Sequence, residues 1–374
     1  MVAQARQFAA SFAETAVQHD RAGTFPREHF ALLKETGLLA LTTPEDLGGS
    51  GADLAAAAEV VRTISQVCPS TGLILAMQYL HHDAIARNPH WPANLARLVG
   101  QMAVEDGALI NALRVEPELG TPARGGLLAT VARRMDTGWS LSGTKIYCTG
   151  APGLTWLQVW ARTDEAIPRV GSFLVLANMP GIRVVETWDH LGLRASGSHT
   201  VIFDDVVIPQ DHAVDIRLPA EWRGRDAHQA AWNVTLISAV YTGVAEAAQD
   251  WLRSFLTSRV PSNLGAPLAS LTRMQEAMGR IEARLLVNRH LLGGLARSVA
   301  TGDFPTVAEI DLLKVSMAEN AIEATRDAVG LCGNHALSRA NPLERHFRDV
   351  LCAHIHTPQT DSALITAGRA RLGV

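Results

Sequence analysis

Apolar and polar positions change rhythm twice along the 374-residue chain. Up to residue 108 they recur at helical spacing. Phe30 and Leu33 sit between Pro26, suited to a first helical turn, and Gly37, a natural stop. Thr43-Pro44-Glu45-Asp46-Leu47-Gly48-Gly49-Ser50-Gly51 reads as a loop. From Asp53 to Ile85 the chain is Ala-rich with sparse charge, which predicts helix packed inside. From 109 to 212 the period falls to two. Trp139 and Leu141 alternate with Ser140 and Ser142, Leu157, Val159 and Ala161 follow suit, and Phe173 to Leu176 is a buried run. Val201, Phe203 and Val206-Val207-Ile208 end at Pro209, with a bulge or turn predicted at Asp204-Asp205. Short strands between Gly, Pro and Asp predict a small antiparallel barrel or sandwich. From 213 to 374 helical spacing returns. Thr306 with Glu309 fits a capping box, and Ile310, Leu313, Met317, Ala321, Ala324 and Ala328 form one face. The reading is α+β, with helical regions 1–108 and 213–374 around a strand region 109–212.

Composition narrows the function classes. Hydrophobic residues make up 47% and charged residues 19%, as in a globular chain. A net charge of −4 without a basic run argues against nucleic-acid and anionic-membrane partners. No apolar run reaches the ~18 residues of a membrane span. Residues 1–20 do not read as a signal peptide, so a cytoplasmic protein is expected. Cys68, Cys148, Cys332 and Cys352 form no Cys-x-x-Cys pair, so buried free thiols are expected, not zinc ligands or disulfides. No Rossmann or P-loop glycine pattern is present. Gly48 to Gly51 reads as a plain loop before a phosphate cradle.

The tail, Pro342-Leu343-Glu344-Arg345-His346-Phe347-Arg348-Asp349, resembles the C-terminal signature of the acyl-CoA dehydrogenase superfamily. Val115-Glu116-Pro117-Glu118-Leu119-Gly120-Thr121 is similar to its Thr-Glu-Pro-x-x-Gly-Ser. Ser142-Gly143-Thr144-Lys145-Ile146-Tyr147-Cys148-Thr149-Gly150 resembles its Asn-Gly-x-Lys-x-Trp-Ile-Thr-Asn. Trp160-Ala161-Arg162-Thr163-Asp164 follows at the right distance. Leu191 to Ser196 and Phe203 to Pro209 look like further segments in the same order.

The resemblance implies an N-terminal helical domain, a middle barrel and a C-terminal four-helix bundle. It implies a homotetramer with flavin between barrel and bundle. Thr149 would offer its hydroxyl or backbone N–H near flavin N5, and Tyr147 would stack on the ring. Thr121 matches a Ser that holds the flavin side chain, and Arg259 resembles an Arg that reaches a neighbour's pyrophosphate. Gly333, in Leu331-Cys332-Gly333-Asn334-His335, matches part of a segment near another subunit's adenosine. The other glycines of that segment are absent, which leaves FAD and FMN both open. Val115 replaces a flavin-facing Thr, and Arg114 introduces a cation nearby, either beside the flavin or as an ordinary strand residue.

Acyl thioester dehydrogenation needs a carboxylate base. The matching position is Thr357, in His356-Thr357-Pro358, and the alternative position on the first long C-terminal helix lies near Asn233. Neither is acidic, while Asp361 lies four residues further on. The branch of reduced-flavin monooxygenases, which has lost the glutamate, is similar in Tyr147 to Ala151 and in a His at 356. His356 and Thr149 are therefore candidate catalytic groups, with His82, or its neighbour His81, as another. A His354-x-His356 metal site lacks a visible third ligand. The expected function is reduced-flavin, oxygen-using oxidation of a small molecule, supplied by a separate reductase or electron-transfer partner. Acyl-CoA dehydrogenation and a non-catalytic flavin binder are the alternatives.

Overall fold

The computed structural model describes residues 2–119, 128–222 and 224–374. Helices α1 (Val2–Ala22), α2 (Arg27–Glu35), α3 (Leu54–Ser65), α4 (Pro69–Arg87) and α5 (Ala93–Glu105) come first. Strands follow: β1 (Leu109–Leu113), β2 (Val131–Met135), β3 (Gly138–Cys148), β4 (Leu154–Thr163), β5 (Val170–Leu176), β6 (Ile182–Val185), β7 (His199–Pro209) and β8 (Ala213–Arg217). The chain ends in α6 (Ala227–Ser258), α7 (Thr272–Thr301), α8 (Val307–Cys332), α9 (Asn334–Leu337), α10 (Leu343–Val350) and α11 (Thr360–Leu372).

Side-chain caps set several helix starts. Asp53 accepts from Ala56 N at 2.9 Å to open α3, and Asp226 from Gln229 N at 2.7 Å to open α6. Thr306 and Glu309 form a reciprocal capping box at α8. The face Ile310, Met317, Ala321, Ala324 and Ala328 is buried, and Lys314 lies within it.

The strands form one sheet in the order β6-β7-β3-β2-β4-β5-β8, with β1 beside β4. Both β1 and β2 run parallel to β4. The sheet is mixed, where a small antiparallel barrel or sandwich was expected. Side-chain alternation is the same in parallel and antiparallel strands, so it does not report direction. The bulge lies at Asp204-Asp205: pairing steps from Leu141–Val206 to Gly143–Phe203, and Asp205 has φ +48°. Ser142 Oγ donates to Asp205 Oδ1 across it at 2.8 Å.

N-terminal and C-terminal helices share one core. α3 and α4 pack on α6, which also packs on α7 and α8, with α11 along α8. A Cβ at Gly243 of α6 would stand 2.3 Å from Arg62 O of α3, so glycine sets that close approach. α4 also borders β1. Gln78 donates to Ala108 O and accepts from Ile110 N, which pins the strand's start.

Candidate functional site

Several of the sequence motifs form structural clamps. Glu116 and Lys145, from separate motifs, make a fully buried ion pair at 2.7 Å. The Glu116 carboxylate also accepts the N–H groups of Ala129 and Thr130. At the tail, Arg348 spans Asp20 of α1, Glu344 and the Leu191 carbonyl. The buried Asp349 carboxylate accepts from Leu193 N at 2.7 Å. A Cβ at Gly192 would stand 2.4 Å from Arg348 O and 2.9 Å from Cys352 Sγ. These contacts dock the loop 187–199 onto the C-terminal segment.

One wall lies at the end of β3. Its register shifts between Lys145 and Cys148, and Tyr147 takes φ +56° there. That turn pushes the Tyr147 ring outward, 55% exposed, edge-on to Trp188 and His190. Thr149 follows. Its backbone N–H donates to Tyr147 O, so the N–H alternative is already used. Its hydroxyl oxygen accepts from Ser198 Oγ at 3.1 Å, in line with Ser196. That leaves the hydroxyl hydrogen to donate elsewhere. Behind it, Asn111 donates to Thr149 O at 3.0 Å and meets His81 Nε2 at 3.1 Å.

The other wall is the segment after α10. His356 Nδ1 lies 2.6 Å from the Tyr241 hydroxyl of α6 and 3.2 Å from Cys352 O. Asn233, two turns earlier on α6, donates to Thr357 O at 3.1 Å. Lys314 of α8 is buried and donates to Ala353 O at 2.7 Å. Burial lowers the Lys314 pKa to about 8, against the attraction of Asp311 and Glu319. Burial, then the Lys314 charge, lowers His356 to about 4, so its imidazole is neutral near pH 7. His356 still keeps part of its surface open to solvent. With Nδ1 engaged, Nε2 is the ring nitrogen left to meet solvent or a ligand. The loop 187–199 joins the walls, touching Cys352 through Gly192 and Thr149 through Ser198.

Models of the acyl-CoA dehydrogenase N-terminal, middle and C-terminal domains match residues 1–89, 114–206 and 235–359. L-evernosamine nitrososynthase of Micromonospora is 30% identical over 90% of this chain and 80% of its own. The chain belongs to the acyl-CoA dehydrogenase superfamily. Mitochondrial short-chain specific acyl-CoA dehydrogenase of Bos taurus is 29% identical, over 97% of this chain and 88% of its own. KijD3, solved in complex with FMN and a dTDP-linked amino-keto sugar, superimposes with TM-score 0.84 at 28% identity. That match covers 98% of this chain and 91% of KijD3.

The remaining candidates of this acyl-CoA dehydrogenase superfamily member fall elsewhere. Arg259 caps the far end of α6, about 27 Å along the helix from Tyr241 at 1.5 Å per residue. Its guanidinium lies over Phe255, which His335 also contacts, so Arg259 and the Gly333 segment meet at one end of the bundle. Gly333 is exposed with φ +54°. Thr121 lies outside the described residues. His82 is engaged by Gln78, at 3.0 Å from its Nε2, and burial lowers its pKa to about 4. His81 is the neighbour that joins the Asn111–Thr149 network. Asp361 is exposed on the first turn of α11. Among the described residues no cluster holds a metal, and no helix is long and apolar enough to cross a membrane. All four cysteines are free.

The first wall fits a flavin ring. An exposed tyrosine beside stacked Trp188 and His190 offers apolar surface, and Thr149 offers a hydroxyl oriented by Ser198. Sequence reasoning missed Tyr241 and Lys314. Tyr241 sits in an apolar run without a motif. Lys314 had a visible signal, a lysine on an apolar helical face.

Proposed function

We propose that this chain, as a flavin-dependent oxidoreductase, is a monooxygenase that uses reduced flavin and oxygen on a small molecule. One observation carries the reading. The position that matches the superfamily's base is Thr357, which is not a carboxylate, and the neighbouring His356 is paired with Tyr241. Asn233 at the alternative position is an amide engaged with Thr357 O. The acids beside this segment include Asp349, engaged by Leu193 N, Asp311, engaged by Arg225, and Glu319, engaged by His354.

Tyr147 and Thr149 would hold the ring of FAD or FMN, with Thr121 on its side chain. Arg259 and Gly333 would serve a neighbouring subunit's flavin in a homotetramer. Reduced flavin bound there supplies the two electrons that activate oxygen. Thr149 would donate its hydroxyl hydrogen towards the edge of the bound ring. Tyr241 and Cys352 O fix His356, which takes or returns a substrate proton at Nε2. A neutral imidazole suits that work near pH 7. A separate reductase would supply the reduced flavin, and the middle and C-terminal regions meet near residue 212.

Acyl-CoA dehydrogenation is the second reading, favoured by the identity to the short-chain enzyme. Anaerobic titration of the flavin-loaded protein with acyl-CoAs separates the two. An unchanged spectrum supports the monooxygenase, provided a reductase with NADH and oxygen gives turnover, and bleaching refutes it.

A further inference from the structure

On the face of α6 turned away from Tyr241, helices of both helical regions enclose a cavity of about 320 Å³. Its walls come from the loop before α3, from α4, from α6 and from the end of α7. Trp232 of α6 lines it. Tyr241 lies nine residues, about two and a half turns, further along the helix and so on the opposite side. None of the lining residues belongs to the Thr149 and His356 walls. The cavity has a closed floor and an open rim. Leu54, Trp232 and Ala296 are buried beneath it, while Ala86 and Ala300 are exposed at its edge. A cavity of ~150 Å³ holds benzene, and this one is about twice that size, room for a substituted ring.

Most of the lining is apolar, and three polar groups stand among it. His228 Nε2 lies 3.0 and 3.2 Å from the two carboxylate oxygens of Asp83, which ties α6 to α4. That pair uses Nε2 and leaves Nδ1, and both side chains keep some access to solvent. The His228 ring lies near-parallel to Trp232, with ring centres 6.1 Å apart. Trp232 is 4% exposed, and its Nε1 is buried with no hydrogen-bond partner. Trp139 and Trp156 also keep an unpaired Nε1, but neither lines the cavity. A buried indole N–H of this kind calls for an acceptor.

The glycine loop borders the same cavity without forming a phosphate cradle. The N–H groups of Gly48, Gly49, Gly51 and Ala52 donate to carbonyls of Glu45, Pro44, Thr43 and Leu41. The loop therefore presents a closed wall, and the Asp83 carboxylate disfavours an anion. A hydroxyl can accept from an indole N–H and also donate to a carboxylate or an imidazole nitrogen.

We propose that this cavity is a second binding site, for a small neutral molecule with an apolar ring and one hydroxyl. The ring packs on the apolar floor, and the hydroxyl meets Trp232 Nε1 and the His228–Asp83 pair. The site stands independently of the flavin reading.

The test is calorimetry on the flavin-saturated protein near neutral pH, with 4-propylphenol as the probe. Saturable binding is expected. Propylbenzene, which lacks the hydroxyl, should bind about threefold to tenfold more weakly, and 4-propylbenzoate more weakly still. Trp232→Phe keeps an aromatic ring and removes the N–H. It should weaken the phenol by about the same threefold to tenfold factor and leave propylbenzene unchanged. Ala86→Trp, at the rim, should abolish most of the binding by covering the opening. Absence of saturable phenol binding, equal affinity for phenol and propylbenzene, or unchanged phenol affinity in Ala86→Trp overturns the proposal. Ala86 is exposed, so its variant keeps the test valid if Trp232→Phe fails to fold. Phenol binding lost in His356→Ala but kept in Ala86→Trp would place the probe beside the flavin, and overturns the proposal as well.

Discussion

The Tyr241 hydroxyl stands 2.6 Å from His356 Nδ1, joining the middle of α6 to the segment after α10. That contact engages Nδ1 and leaves Nε2 as the nitrogen open to a ligand. His356→Ala should lower turnover by about 10²–10⁴-fold while flavin absorbance is retained. Tyr241→Phe should lower kcat less, because Cys352 O still holds the ring. Equal turnover in His356→Ala would remove His356 from the chemistry.

The acid limb of the rate profile should follow His356. Burial and then Lys314 hold its pKa at about 4, so the neutral form persists well below pH 6. Removing a nearby cation favours the protonated ring. Lys314→Met should therefore move the acid limb upwards, towards 6.5. A limb that stays fixed would show that another group controls it.

Stability should fall as pH drops below about 6.5. His29, His81, His82, His346 and His356 are held at about 4, 3, 4, 3 and 4, each by burial first. Unfolding lets them take protons that the folded chain refuses. Their contribution is complete above 6.5 and shrinks as pH falls towards 4. Asp349 acts with the opposite sign, since burial raises it to about 6 and the folded carboxyl protonates first. Asp83 and Asp311, also raised by burial, act with Asp349, and the five histidines outweigh these three at up to about 1.4 kcal/mol per pH unit each. Melting temperatures between about pH 8 and 4.5 check this, and His346→Gln should flatten the slope.

The buried Glu116–Lys145 pair tests whether those motifs serve the fold. Lys145→Met alone strands a buried carboxylate and should cost about 3–5 kcal/mol. The double change Glu116→Leu with Lys145→Met should cost less, because both charges leave together. Denaturant midpoints decide it, and a double variant no better than the single one would contradict the pairing.

Gly192→Ala should loosen the loop that joins the two walls. The new Cβ meets the Arg348 carbonyl, which is backbone and cannot swing away. A loss of about 1–3 kcal/mol is expected in thermal unfolding, together with weaker flavin retention. An unaffected variant would show that the loop and tail are not held at that contact.

The element boundaries were legible where one residue type dictates local backbone. Thr306 with Glu309 placed the start of α8, and Asp204-Asp205 marked the bulge in β7. Strand direction was hidden, because alternation is indifferent to it, and β1 and β2 turned out parallel to β4. Motif spelling named the superfamily, but it did not separate residues that hold the fold, such as Glu116 and Asp349, from residues that face a ligand. That separation needs distance. His82 and His81 are adjacent in sequence, yet only His81 reaches Asn111. Tyr241 and His356 are 115 positions apart, so no local pattern joins them.

The absorbance spectrum of the flavin-loaded protein under anaerobic acyl-CoA titration tests the central claim most directly. Thr357 at the base position, beside the Tyr241–His356 pair, predicts that no acyl-CoA reduces the flavin, whatever its chain length. Bleaching of the flavin with formation of an enoyl-CoA would contradict the account and return this chain to the dehydrogenases.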